Sequence, residues 1–341
     1  MIRFRLKVGW LIAFSLLCGC DSGAGTVVAI ALHPTDPNIL YAVTHEGPRK
    51  TYDGGTRWQR IFAGMSQSRV LAIGIDPATP STVYLGTKDD GVYSSYDGGR
   101  QWLSLQAGLD DVRVTAEVQQ IVFAPGPNKQ VFLATTMGVF ESDAERKSWQ
   151  KRMAGITNVL MVTALAADPG RPDVLYAGTS SGVYKTTNGA RTWTVANTGM
   201  LEPSYAKSSR ALGVTTLAIN PRRPDIVYAG TFDGLYKTLD GGGQWTQIGR
   251  DLASQSFNTI IVIPGDRADL CVVGSPAGVF TSRDGGMTWE SRSAGLSSRN
   301  VLSLAASRVP PTLVYAGTNG GGLFRSRDGV TTWEPVPLSV K

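Results

Sequence analysis

The sequence predicts an all-β fold, a seven-bladed β-propeller of four-stranded antiparallel blades, on three observations. Tryptophan recurs at Trp58, Trp102, Trp149, Trp193, Trp245, Trp289 and Trp333, at separations of 44, 47, 44, 52, 44 and 44 residues. Each closes a similar octapeptide, clearest in Ser282-Arg283-Asp284-Gly285-Gly286-Met287-Thr288-Trp289, with close copies ending at Trp58, Trp102 and Trp245. The chain also carries 40 glycines in 341 residues without a collagen period, so tight turns between short strands dominate. Seven copies, each long enough for about four strands, are the signature of propeller blades.

The elements follow from the punctuation within each unit. In the fourth repeat an apolar first strand ends at Leu165-Ala166-Ala167-Asp168-Pro169. A second strand reads Val174-Leu175-Tyr176-Ala177-Gly178-Thr179, and a third Gly182-Val183-Tyr184-Lys185-Thr186. The box tryptophan opens the fourth. Val, Ile, Tyr and Thr bounded by Gly, Pro, Asn and Asp mark strands. The propeller is predicted over 26–341, each blade contiguous in sequence; the sequence leaves open how blades seven and one join.

The box has a turn-forming task. A short Asp accepts backbone N–H bonds across a hairpin, Gly supplies positive φ, and Trp buries a large area between blades. Asp53, Asp97, Asp240, Asp284 and Asp328, and Asn188 in blade four, are therefore assigned to structure, since a recurring element seldom marks one active site. Blade three carries Ala144 and Arg146 in place of Asp and Gly, and its hairpin is predicted to be the least well tied. Blade four has Ala190 and blade seven Val330 at the second glycine.

Composition excludes several functions. Two histidines and three cysteines, two of them at Cys18 and Cys20, cannot build a His/Cys zinc cluster or a disulfide framework, so no metal and no cofactor is assigned. Arg3, Arg5 and Lys7 precede an apolar run from Val8 to Leu17 that is short for a membrane span and reads as an export signal over 1–19. The run ends in Leu17-Cys18-Gly19-Cys20. This resembles the bacterial lipobox, which implies cleavage before Cys20, diacylation of that cysteine as anchor to the bilayer, and a short linker over 20–25. Residues 20–341 then hold 30 Lys and Arg against 27 Asp and Glu, a net +3, and nucleic acid is not a predicted partner.

The octapeptides resemble the bacterial neuraminidase repeat, or Asp-box, of sialidases, xyloglucan-active endoglucanases, sortilin-type receptors and photosystem II stability and assembly factors. The lipobox and the single seven-bladed unit are most similar to the assembly-factor branch. That resemblance implies a non-catalytic propeller on the extracytoplasmic, periplasmic side of a bacterial membrane, binding a membrane or exported protein and assisting its assembly or stability. The alternative is a glycan-binding protein or glycoside hydrolase using loop carboxylates such as Asp89 or Asp233. No Arg-Ile-Pro of the sialidase kind occurs, and the xyloglucan-active enzymes set their cleft between two propellers.

Partner binding is expected on the face formed by the loops between second and third strands and the blade-to-blade crossovers, opposite the boxes. Candidates there are His45, Lys88, Asp89, Phe232 and Asp233 in the loops, and Arg69, Arg113, Arg210, Arg299 and Asn300 in the crossovers. The longest crossover adds Tyr205 and Lys207 and explains the 52-residue spacing. Arg69, Arg113, Arg210 and Arg299 each precede a first strand and are predicted to ring that face, where arginine pairs with carboxylates and stacks on aromatics. His33 sits at a pre-proline turn, and Cys271 replaces a buried aliphatic. Arg49 stands where six other units have Tyr or Phe, which marks either a contact special to blade one or a more exposed strand.

Overall fold

The computed structural model describes residues 25–339, except 67, 110–115, 127–129, 158, 160, 201–211, 253–255 and 311. Cys20 and its flanks lie outside the described residues. Among those described, strands group into seven antiparallel four-stranded sheets, each built from consecutive segments. Blade one comprises Val27–Leu32, Leu40–Thr44, Gly47–Thr51 and Gln59–Arg60 from the axis outward, and blade seven Val301–Ala306, Val314–Thr318, Gly322–Ser326 and Glu334–Val336. The helical element among the described residues is a single turn, Arg250–Leu252.

Second strands such as Leu40–Thr44, Val131–Thr135 and Val227–Thr231 are buried along their whole length. Blades flank them on both sides, so their sequences read as continuous apolar runs. Outer strands are short and largely exposed, as at Leu103–Ser104 and Thr194–Val195, which limits the edge open to unwanted pairing. Seven apolar clusters each straddle two neighbouring blades. The core thus lies between sheets, and a blade cannot bury its faces alone.

Ring closure needs no shared strand. Trp58, Val27 and Leu40 of blade one pack with Leu313, Tyr315, Leu323 and Val336 of blade seven. Arg325 Nη1 donates to Gly54 O at 2.9 Å across the seam. Arg49 donates to the carbonyl of Leu338 and to Glu46. In blades two and four the tyrosine at this position meets the preceding crossover instead, Tyr93 accepting from Ser66 N and Tyr184 donating to Thr157 O. Arg49 therefore makes the contact special to blade one, catching the tail of blade seven.

One latch recurs between blades. The ammonium groups of Lys50, Lys185 and Lys237 donate to the first box glycine of the next blade, Gly98, Gly241 and Gly285, at 2.9, 2.6 and 2.8 Å. Tyr41 and Tyr176 hydroxyls share two of those carbonyls. Burial pulls the Lys185 and Lys237 ammonium groups below the ordinary lysine range; each remains hydrogen-bonded, as a buried cation requires.

The boxes are dense hydrogen-bonded turns. At Asp284, Oδ1 accepts from the N–H groups of Met287 and Thr288 and from the Ser282 hydroxyl, while Oδ2 accepts from the Thr288 hydroxyl. Asn188 does the equivalent with a neutral amide, its oxygen accepting from Thr192 N and its nitrogen donating to Thr192 Oγ1. The second glycine position is left-handed throughout. Arg146, Ala190 and Val330, with φ of 57°, 61° and 68°, are the non-glycine residues of positive φ among those described, and all three hold that position. Blade three departs from the expected loose hairpin. Asp143, one residue before the missing Asp, accepts from Lys147 N and Ser148 Oγ, and Arg146 reaches back to Asp76 of blade two at 2.6 Å. The reason is geometric: a carboxylate one position earlier still reaches the same turn.

These carboxylates are held below the ordinary range. The leading cause is the Arg57 N–H at Asp53, the Ser148 hydroxyl at Asp143, the Thr238 hydroxyl at Asp240 and the Thr332 hydroxyl at Asp328. At Asp97 and Asp284 desolvation pushes upward and the hydrogen bonds outweigh it. Groups depressed in the folded state contribute stability above their unfolded value, about 4, and lose it as pH falls toward the folded value. The melting temperature is therefore expected to hold from pH 7 to 5 and to drop steeply below 4. Asp284→Asn/Asp328→Asn, copying Asn188, should flatten that acid limb in scanning fluorimetry; an unchanged limb would exclude the boxes as its origin.

Candidate binding face

The loop face is a rigid frame with variable tips. In five blades the second strand runs into a Thr/Ser-x-x-Gly turn whose hydroxyl donates to the glycine carbonyl, as in Thr44 to Gly47, Thr135 to Gly138, Thr179 to Gly182, Thr231 to Gly234 and Ser275 to Gly278. Blades two and seven add one residue, Thr87 to Gly91 and Thr318 to Gly322. The same hydroxyl accepts an N–H inside the turn, for example from Glu46 or Asp233. The two or three residues between are free to vary, which suits recognition on a fixed scaffold.

Five of the tips also dock on a crossover. The N–H groups of Lys88, Thr136, Ser180, Phe232 and Asn319 donate to the carbonyls of Arg69, Glu117, Met161, Gly213 and Asn300. These bonds place loops and crossovers on one face. The box hairpins bond instead to the turns between first and second strands, as Gly98 N does to Ser81 O and Gly241 N to Asp225 O, which sets them on the opposite face.

The structure brings His45, Arg69, Lys88, Asp89, Phe232, Asp233, Arg299 and Asn300 to this face. His45, Asp89 and Arg299 are exposed, and the others half-buried. Arg113, Tyr205, Lys207 and Arg210 lie outside the described residues. Of the predicted arginine ring, Arg69 and Arg299 stand on this face; the residues equivalent to Arg69 by hydrogen bond are Glu117, Met161, Gly213 and Asn300. Arg299 sits one residue off that phase: Arg69 directly precedes Val70, whereas Arg299 stands two residues before Val301.

Blade two is the most built-up tip. Asp90 accepts from Ser66, from Tyr93 and, at 2.8 Å, from Gln106. Desolvation pushes its carboxyl up, but the three hydrogen bonds together hold it below the usual range. Asp90 thus braces the loop, leaving Lys88 and Asp89 to project. Glu46 is likewise engaged, accepting from Arg49 and from Arg60. Among the described residues no group of three His, Cys, Asp or Glu side chains is placed to hold a metal ion. Cys271 is buried, and burial pushes its thiol up to about 12, far from a reactive thiolate.

Sequence reasoning passed over three tips, Thr136-Met137, Ser180-Ser181 and Pro276-Ala277. The Thr/Ser-x-x-Gly signal marks all of them. It also passed over the bulges. In blades one, two, three, four, five and seven the ladder between first and second strands slips by one residue near the loop face, at Val28, Leu71, Gln119, Thr163, Thr215 and Leu302. Thr163 and Thr215 use that slip to donate to Val214 O and Phe257 O of the next blade, a bulge re-aiming a side chain.

No protein-family model matches the chain. A probable oligoxyloglucan-reducing end-specific xyloglucanase from Neosartorya fischeri is 27% identical over 237 residues, 67% of this chain. The chain spans about a quarter of the length of that curated relative. Among solved structures, an ancestral GH74 enzyme superposes with a TM-score of 0.72 at 18% identity, over 92% of this chain and 46% of its own. YCF48 from Cyanidioschyzon merolae gives 0.62 at 16% identity, over 88% and 94%. YCF48 bound to a D1 peptide gives 0.63 at 15% identity, over 89% and 93%. At these identities the structural likeness establishes the fold, a seven-bladed propeller shared with GH74 enzymes and with YCF48.

Proposed function

We propose that this chain is a non-catalytic propeller scaffold of the Asp-box kind that binds a membrane or exported protein through its loop face and assists its assembly or stability. In this reading it is exported and held on the extracytoplasmic side of a bacterial membrane by acylated Cys20. The observation that carries it is the likeness in fold to YCF48. The chain matches YCF48 along nearly the whole of that protein; it matches the ancestral GH74 enzyme over 46% of its chain and the GH74 xyloglucanase from Xanthomonas campestris over 58%. The solved complex of YCF48 with a D1 peptide points to a polypeptide as the ligand class. Loop-face carboxylates Glu46 and Asp90 are spent on bracing hydrogen bonds, which suits a recognition surface better than a pair of acid and base.

A second reading is favoured by the sequence relative: a xyloglucan-directed protein using Asp89 or Asp233. One pair of experiments separates them. Affinity capture of the tagged, lipidated protein from native membranes is expected to retain one membrane complex. Arg69→Glu with Arg299→Glu should weaken retention by about tenfold or more, as loss of interface arginines does. Hydrolysis of xyloglucan that disappears in Asp89→Asn or Asp233→Asn, with melting unchanged, would establish the second reading and overturn the first.

A further inference from the structure

We infer that the loop face is the membrane-proximal face of the ring, and that its ligand is a polypeptide segment of an integral membrane protein projecting a short way from the bilayer. The inference rests on the lipid-anchored reading of Cys20 and extends it to an orientation. The chain joins the ring at Gly25 and Thr26, directly before the inner strand Val27–Leu32. That point is fixed. The Thr26 side chain donates to Asn319 Oδ1 and accepts from Gly320 N, both at 3.1 Å. Asn319 N in turn bonds the crossover carbonyl of Asn300. The attachment point is therefore part of the loop face, close to the ring axis.

Tether length does the rest. Gly25 is five residues past Cys20, and a fully extended chain spans at most about 3.6 Å per residue, roughly 18 Å in all. Presenting the box face to the bilayer would require the tether to pass the rim of the ring. Three strand spacings of about 4.8 Å lead outward, and five or six residues at about 3.3 Å each lead down the blade, roughly 30 Å together. The tether is too short for that path. The loop face is thus held within reach of the bilayer surface while the boxes point away.

Charge selects the class of partner. Among the described residues the cations of this face, Arg69, Lys88 and Arg299, are balanced by carboxylates on the same tips and crossovers, including Glu46, Asp89 and Asp233. Attraction to an anionic lipid surface requires clustered lysine and arginine. A face of mixed sign suits a polypeptide that offers both.

The test uses the full, lipidated chain in vesicles of phosphatidylethanolamine and phosphatidylglycerol that carry a headgroup-linked acceptor dye. Donor dyes are placed at His45→Cys on the loop face or Arg100→Cys on the box face; Cys271 is buried. The donor at position 45 is expected to transfer severalfold more energy than the donor at 100. In native membranes, a photo-crosslinker at 45 should trap an integral membrane protein and one at 100 should not. Equal or reversed transfer in protein that floats with the vesicles overturns the orientation alone. Failure of the lipidated protein to float overturns the anchor and the orientation with it. A Cys20→Ser chain that still floats with bare vesicles makes the headgroups themselves the ligand and overturns both the anchor and the polypeptide partner.

Discussion

Gly155→Ala is expected to cost about 3–5 kcal/mol, combining overpacking against fixed backbone with an L-residue in left-handed space. Gly155 has a φ of 92°, and a Cβ there would lie 2.0 Å from the carbonyl oxygen of Trp193 in the next blade. Backbone cannot rotate aside as a side chain can. The contact is also where Trp193 N donates to Ala154 O, so the two blades would have to part to admit the methyl group. Gly320→Ala is the matching control. Its φ is 76° with nothing within 4 Å of the added carbon, and its cost should be only the conformational penalty, about 1–2 kcal/mol. Equal denaturation midpoints for the two variants would remove close approach as the cause. Gly64, Gly108, Gly199 and Gly295 repeat the feature against Trp102, Trp149, Trp245 and Trp333.

Trp245→Ala should destabilise by about 3–5 kcal/mol, the range for removing a large buried aromatic. Its ring is 1% exposed and packs with Tyr176, Val183 and Met200 of blade four and Val227 and Tyr236 of blade five. Its indole nitrogen donates to Ala196 O of the preceding blade at 2.8 Å; truncation would leave that carbonyl buried and unpaired. Trp289 differs. It is 9% exposed, and its indole bonds its own hairpin at Gly286 O. Trp289→Ala also loses one hydrogen bond, so it should cost less than Trp245→Ala only by the smaller area that its ring buries. Urea denaturation of the two variants measures the difference, and a wild-type midpoint for Trp245→Ala would refute an inter-blade role for the box tryptophan.

The candidate face was legible as a place more than as a set of residues. Strand alternation alone puts the Thr44–Gly47 loop and its equivalents on one side and the boxes on the other. The arginines were legible as sharing a face and not as a matched set, since Arg69 directly precedes Val70 whereas Arg299 stands two residues before Val301. Asp90, next to the candidate Asp89, is a brace that the sequence does not single out. Its partners Ser66 and Gln106 lie 24 and 16 residues away, and separations of that kind leave no local pattern.

Number of blades, strand order and the turn role of the box came from the sequence by itself, because each depends on contacts within some 44 residues and is repeated seven times. A single substitution such as Ala144 hardly alters such a signal. The tertiary structure alone decided how the ring closes and why Arg49 replaces an aromatic. Those features arise where different blades meet. Arg49 meets Leu338 across 289 residues of chain, and Thr26 meets Asn319 across 293. Such contacts form only when seven individually insufficient sheets bury one another's faces, and packing, not local propensity, then fixes the register between them.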